Sequence, residues 1–196
     1  MIHWVPDSDR NWGSAVWQTP VGRLVAVFTE QALVAAEFAD GPPARWFGRA
    51  VPPTPPPDWL EHLLALALTT TIGDVDWALV DPGVTPLQQR ALAWATRIPY
   101  GSTCSYGRLA AAMGAPGRAR LVGQAMGRSP AALFIPTHRV VRADGEPAPG
   151  QRGGTAADLR RYEAARVVRT GPLAQLLQEG HGDRGPKTRK CPPDAS

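Results

Sequence analysis

Near the start of the chain, apolar and β-branched residues gather in three short runs, residues 15–19, 24–28 and 33–38, separated by Pro20-Val21-Gly22 and by the polar pair Glu30-Gln31. Runs of this length, punctuated by turn residues, predict three strands of a small sheet. From Trp59 to Leu68 the spacing of apolar residues changes to that of a helix with one buried face, which predicts a helix packed on the sheet. Between these patterns lie Gly41-Pro42-Pro43 and the proline-rich run 51–57. Proline fixes φ and lacks a donor, so this stretch is expected to be connecting chain. Residues 73–81 read as extended, with a domain boundary near Asp81-Pro82-Gly83.

Beyond that boundary the pattern is mainly helical. Thr85 is suited to cap a helix that has Pro86 in its first position and Leu87, Ala91, Leu92 and Trp94 as its buried stripe. Ser105 is suited to cap a second helix over 106–113, which Gly114, Pro116 and Gly117 end before a third over 118–127. Two short helices joined in this way outline a helix-turn-helix unit, and equally an ordinary pair of packed helices. The apolar run 131–135 then leads into Pro136, Thr137, His138, Arg139 and Val140. It reads as a buried strand whose polar end faces a pocket. Residues 144–150 read as a loop, 156–169 as an arginine-bearing helix, and 180–196 as a disordered basic tail. The resulting class is α+β, divided into an N-terminal sheet domain (1–81), a second domain with the helix-turn-helix (82–179) and the tail. There are no internal repeats.

Composition adds constraints. The chain has 196 residues, 43% of them hydrophobic and seven of them Trp, enough to bury a core. No stretch approaches the roughly 18 consecutive apolar residues of a membrane span, and the first residues lack a secretory pattern, so a cytoplasmic monomer with no membrane partner is expected. The two cysteines, Cys104 and Cys191, outline neither a metal cluster nor a disulfide framework and are expected to be reduced; no metal or cofactor is implied. Net charge is only +4, but Arg108, Arg118, Arg120, Arg128, Arg139 and Arg142 crowd a region where acidic residues are missing. That asymmetry favours a polyanion as partner, although charge alone also fits a solvated surface.

The motif Pro136-Thr137-His138-Arg139-Val140 resembles the Pro-Cys-His-Arg-Val signature of the O6-alkylguanine-DNA alkyltransferases, which move an alkyl group from damaged guanine to their own cysteine. Ile98-Pro99-Tyr100-Gly101, Ser105-Tyr106-Gly107 and Ala119-Arg120-Leu121-Val122-Gly123 match the family in the same order. The resemblance implies a catalytic-type domain from Thr85 to about Arg166, preceded by the family's variable N-terminal domain. It implies that the helix carrying Arg118, Ala119, Arg120 and Gly123 lies in the minor groove, with Arg120 entering the base stack in place of a flipped guanine. It implies that Tyr106 helps rotate the phosphate and contacts the flipped base, although a tyrosine opening a helix is also an ordinary core aromatic. The pocket would comprise Tyr106, Ser129, Pro136, Thr137, Arg139, Val140 and Gln151, with Arg139 holding loop carbonyls and His138 and Glu163 polarising the acceptor.

Several positions depart from the family. Thr137 stands at the acceptor cysteine, Ser129 at an asparagine, Gln151 at a pocket tyrosine and Leu121 at an alanine, and the spacing to Glu163 is short. A hydroxyl is not ionised near neutral pH as an activated thiol is, so no catalytic residue is expected. Members in which another residue replaces the cysteine, the alkyltransferase-like proteins, bind O6-alkylguanine duplex DNA without accepting the alkyl group and mark it for nucleotide excision repair proteins. The resemblance implies such a sensor. The alternatives are a residual or altered methyltransferase, and a helix-turn-helix regulator.

Overall fold

The computed structural model describes residues 1–6, 11–39, 51–148 and 154–170. An antiparallel meander, β2 (Gly13–Thr19), β3 (Gly22–Phe28) and β4 (Leu33–Phe38), forms three strands of a five-stranded sheet. Two strands complete it: β1 (Ile2–Val5) and β5 (Trp77–Val80), in the order β1-β5-β4-β3-β2. β5 runs parallel to both its neighbours, with Ile2 opposite Trp77 and Leu33 opposite Leu79. The three meander strands follow the sequence pattern. β1 went unread because Ile2-His3-Trp4-Val5 is too short and mixed to carry a period.

Strand β3 is buried on both faces. Leu24, Ala26 and Phe28 enter the main core, whereas Val27 enters a smaller cluster with Ala32, Val34, Val51 and Val80, as the two-residue period of a strand requires. The proline-rich run is more than connecting chain. Val51 is buried, and Ser14 donates its backbone N–H to Pro52 O and accepts from Thr54 N, both at 2.9 Å. This covers the outer edge of β2, where bare backbone would otherwise invite pairing with another chain.

Helix α1 (Asp58–Ala67) packs Leu60, Leu63 and Leu64 on the sheet, and α2 (Pro86–Ala95) adds Ala91 and Leu92 to the same core. The start of α2 is as the sequence predicts: Thr85 and Gln88 cap each other reciprocally, with Pro86 in the first turn. Helices α3 (Tyr106–Ala112) and α4 (Ala119–Gly127) form the second pair, and α5 (Gly154–Thr170) closes the described chain. One continuous core runs from Ile2 to Leu159, so the apolar interior does not stop at Asp81-Pro82-Gly83. The mixed sheet-and-helix architecture is α+β.

Two expectations are corrected. Residues 131–135 do not form a strand: Ala131 makes a single parallel bridge to Ala36, and the chain then turns, with Leu133 at φ 71°. Pro130 and Pro136 bracket the run and withhold ladder donors, so an apolar segment that could have paired along its length pairs once. Cys104 is disulfide-bonded rather than a reduced thiol; sequence spacing does not bound which thiols the fold brings together. The tail at 180–196 lies outside the described residues.

Candidate functional site

The motif is held where the sheet meets the helices. Ala36 donates its N–H to Pro130 O and accepts from Ala132 N at 2.8 and 2.9 Å, so β4 fixes the chain entering the motif. Thr137–Arg139 then form one 3₁₀ turn, followed by the short strand β7 (Val140–Val141). β7 pairs in parallel with β6 (Cys104–Ser105), with Ser105 opposite Val141. Ser105 also accepts the Arg108 N–H and so caps α3. Residues thirty or more positions apart in the sequence, Tyr106 and the motif, are therefore brought side by side by one two-residue ladder.

The two residues after Thr137 belong to a buried charged cluster. His138, Arg139 and Glu163 are each 2% exposed. His138 Nε2 is 2.7 Å from Glu163 Oε1, and Arg139 Nε and Nη2 donate to the same carboxylate at 2.9 to 3.1 Å. The Gly101 N–H donates to Glu163 Oε2 at 3.0 Å, and Arg139 Nη1 donates to Ile98 O at 2.8 Å. The Arg139 guanidinium also lies 5.2 Å from the Tyr100 ring centre. Gly101 is required on two grounds: its φ is 71°, and a Cβ there would run into the Val167 side chain.

The electrostatics follow from this geometry. Burial opposes the ionised form of Glu163, but His138 and Arg139 outweigh it and hold the carboxyl near about 2. Burial also depresses the His138 pKa against the pull of Glu163, so the imidazole is neutral near pH 7. Its Nε2–H then donates to the carboxylate, leaving the lone pair on Nδ1. Burial pushes the Tyr100 hydroxyl up to about 12, with the Glu163 charge adding to the effect, and this hydroxyl donates to Leu68 O at 2.9 Å. A neutral imidazole backed by an ionised carboxylate is an arrangement that can accept a proton from a neighbouring thiol or hydroxyl.

Pro136 and Val140 are buried, and Thr137 is half-buried beside them. Tyr106 is half-buried and packs on the core, so the ordinary reading of a core aromatic accounts for one side of it. Its ring is also 3.8 Å from where a Cβ on Gly123 would sit, so the small residue brings α4 close to the tyrosine. Arg118 and Arg120 are exposed at the start of α4, and Ala119 is half-buried. Leu121 packs half-buried against the core. The Ser129 hydroxyl is buried and has no hydrogen-bond partner among the described residues. Gln151 lies outside the described residues. No group of three or more His, Cys, Asp or Glu among the described residues is placed to hold a metal ion.

Three contributors escaped the sequence reading. Gly101 and Ile98 belong to a stretch noticed only as a motif match, yet they supply the backbone N–H and C=O that complete the cluster. Arg160, read as one of several arginines on a helix, donates Nη1 to the His138 carbonyl at 3.1 Å. A three-to-four-residue period from Glu163, which puts Arg160 on the same helix face, was the available signal.

Comparison with known proteins finds similar sequences and a similar fold. Residues 86–167 match the sequence model of the family described as 6-O-methylguanine DNA methyltransferase, DNA binding domain. The chain is 50% identical over 62 residues to the methylated-DNA–protein-cysteine methyltransferase of Mycobacterium leprae, a stretch covering 32% of this chain and 38% of that protein. It is 36% identical over 89 residues to the Salmonella typhimurium protein of the same name, covering 45% of this chain and 52% of that one. The matched stretch thus spans well under two thirds of these relatives. Among solved structures, O6-methylguanine methyltransferase of Mycobacterium tuberculosis superposes with a TM-score of 0.63 at 29% identity, covering 84% of this chain and 99% of that one. The same organism's OGT in complex with DNA gives 0.60 at 28% identity, covering 79% and 94%. Over residues 86–167, therefore, the chain is similar to the DNA-binding domain of the 6-O-methylguanine DNA methyltransferase family.

Proposed function

We propose that this protein recognises O6-alkylguanine in duplex DNA by minor-groove binding and base flipping, without taking the alkyl group itself. The observation that carries the reading is Thr137, a hydroxyl at the position matched to the acceptor cysteine and next in the chain to His138 of the buried His138–Glu163–Arg139 cluster. A neutral histidine lowers the cost of ionising a thiol, which is already partly ionised near neutral pH. It does far less for a threonine hydroxyl, which is a poor nucleophile toward carbon. Support for the DNA-binding half comes from the family match, from the DNA complex of a structural neighbour and from the exposed Arg118 and Arg120 beside the small residues of α4. Handing the marked lesion to nucleotide excision repair proteins is the downstream step this reading implies.

The deciding experiment incubates the protein with a duplex carrying O6-methylguanine and then weighs both by mass spectrometry. The expected result is unmodified protein and intact O6-methylguanine; a methyl group on Thr137 would make the protein an enzyme. A second measurement addresses the binding mode. Arg120→Ala is expected to weaken binding to the lesion duplex by roughly 1–3 kcal/mol, the range for a side chain that stacks with a base, whereas Arg189→Ala in the tail leaves it nearly unchanged. Equal losses would mean that bulk charge alone holds the DNA.

A further inference from the structure

We infer that Gln124 is a base-reading residue of this protein, whose side-chain amide contacts the minor-groove floor beside the lesion and favours a neighbouring G·C pair. This rests on the lesion-recognition reading above and adds to it a preference for flanking sequence. Gln124 lies in α4 and is exposed, as are Arg120, Gly127 and Arg128, whereas Val122, Ala125 and Met126 are buried. With about 3.6 residues per turn, these two sets fall on opposite sides of the helix, and Arg120 and Gln124 stand near the middle of the exposed side. Four residues of helix set Gln124 about 6 Å from Arg120, within roughly two base-pair steps of it. No hydrogen bond to a described residue engages the Gln124 amide. At Gly127, one turn further along, a Cβ would meet no atom within 4 Å, so this side of α4 stays low next to Gln124, as a narrow groove requires.

The chemistry of the groove singles this residue out. Every base pair presents acceptors there, purine N3 and pyrimidine O2, and only the guanine 2-amino group adds a donor. Reading a G·C pair against an A·T pair therefore takes an acceptor on the protein. Arginine carries donors only, so Arg120 and Arg128 find partners at any pair and cannot tell the two apart by that group. Among the exposed residues of α4, Gln124 alone has a side-chain acceptor. Its Oε1 can take the guanine amino hydrogen while its Nε2 donates to a neighbouring N3 or O2, an exchange that an A·T pair cannot complete. The amide is neutral, so this contact adds selectivity without adding to the salt dependence that the arginines bring.

The test measures affinity at one salt concentration for duplexes that carry a single O6-methylguanine and differ only in the two base pairs on each side of it. Those pairs are G·C, or inosine·C, which lacks the 2-amino group, or A·T, or 2,6-diaminopurine·T, which gains it. The unaltered protein is expected to bind the G·C duplex about fivefold more tightly than the inosine·C duplex, the effect of one net hydrogen bond. It should prefer diaminopurine·T to A·T by a similar factor. Gln124→Ala should lose both preferences and bind all four duplexes about as the unaltered protein binds inosine·C. It should fold normally, since the side chain is exposed and alanine is the better helix former. Gln124→Lys replaces the amide with donors alone, so it should bind all four duplexes more tightly and still show no preference. A preference for the amino group that survives in both variants would belong to the DNA, and no preference in the unaltered protein would leave Gln124 a solvated surface residue; either result overturns the inference. Failure of the lesion reading is visible separately, as an unaltered protein that binds the O6-methylguanine duplex and the same duplex with guanine alike.

Discussion

Replacing Glu163 with Gln is expected to lower the stability of this protein by about 3–5 kcal/mol, the usual effect of removing one partner from a buried ion pair. The carboxylate is 2% exposed and is the shared acceptor for His138, Arg139 and the Gly101 N–H. Without its charge the Arg139 guanidinium, also 2% exposed, stays buried with, among the described residues, the Ile98 carbonyl and the Tyr100 ring to compensate. Urea titration of the variant against the unaltered protein measures this, and a change below about 1 kcal/mol would mean that water reaches the cluster. The same pairing sets a pH dependence. Glu163 titrates near 4.5 when unfolded and near about 2 when folded, so its contribution, on the order of 3 kcal/mol, is complete above 4.5 and lost as pH falls toward 2. His138 acts in the same direction: its folded pKa is depressed, so the unfolded chain gains a proton first, and stability declines as pH drops below about 6.5. In Glu163→Gln the steep portion between 4.5 and 2 should flatten.

The second large effect concerns Phe134. This side chain is fully buried, its ring centre lies 6.2 Å from that of Trp77, and it belongs to the core that joins the sheet to the helices. Phe134→Ala is expected to cost about 3–5 kcal/mol through lost burial and the cavity left behind. Because one core spans both halves of the chain, unfolding followed by tryptophan fluorescence and by far-ultraviolet circular dichroism should give coincident transitions, in the variant as in the unaltered protein. Separated transitions would show that the segments on either side of Asp81-Pro82-Gly83 unfold independently, despite the shared interior.

The elements read most readily from the sequence were those whose signals are local. The meander 13–38 announced itself by period and turn residues. The starts of α2 and α3 announced themselves by Thr85, Pro86 and Ser105, because a capping side chain bonds a backbone group only three residues away. The run 131–135 misled for the complementary reason. Apolar composition marks burial, but whether a buried segment is strand or turn depends on which neighbour offers it a ladder. Here β4 offers only one bridge, at Ala36.

The candidate site divides along the same line. The sequence by itself determined the residue types: a threonine where a thiol would be needed, a histidine and an arginine beside it, an arginine and small residues on one helix. Those choices set what chemistry is within reach, since ionisation and nucleophilicity belong to the side chain. The tertiary structure alone decided which groups meet. It made Glu163 the partner of both His138 and Arg139 despite the short spacing, brought Tyr106 to the motif through β6 and β7, and drew Arg160 onto the His138 carbonyl. The reason is that charge pairing, burial and the pKa shifts they cause fall off over a few ångströms of space, and separation along the chain does not measure that distance.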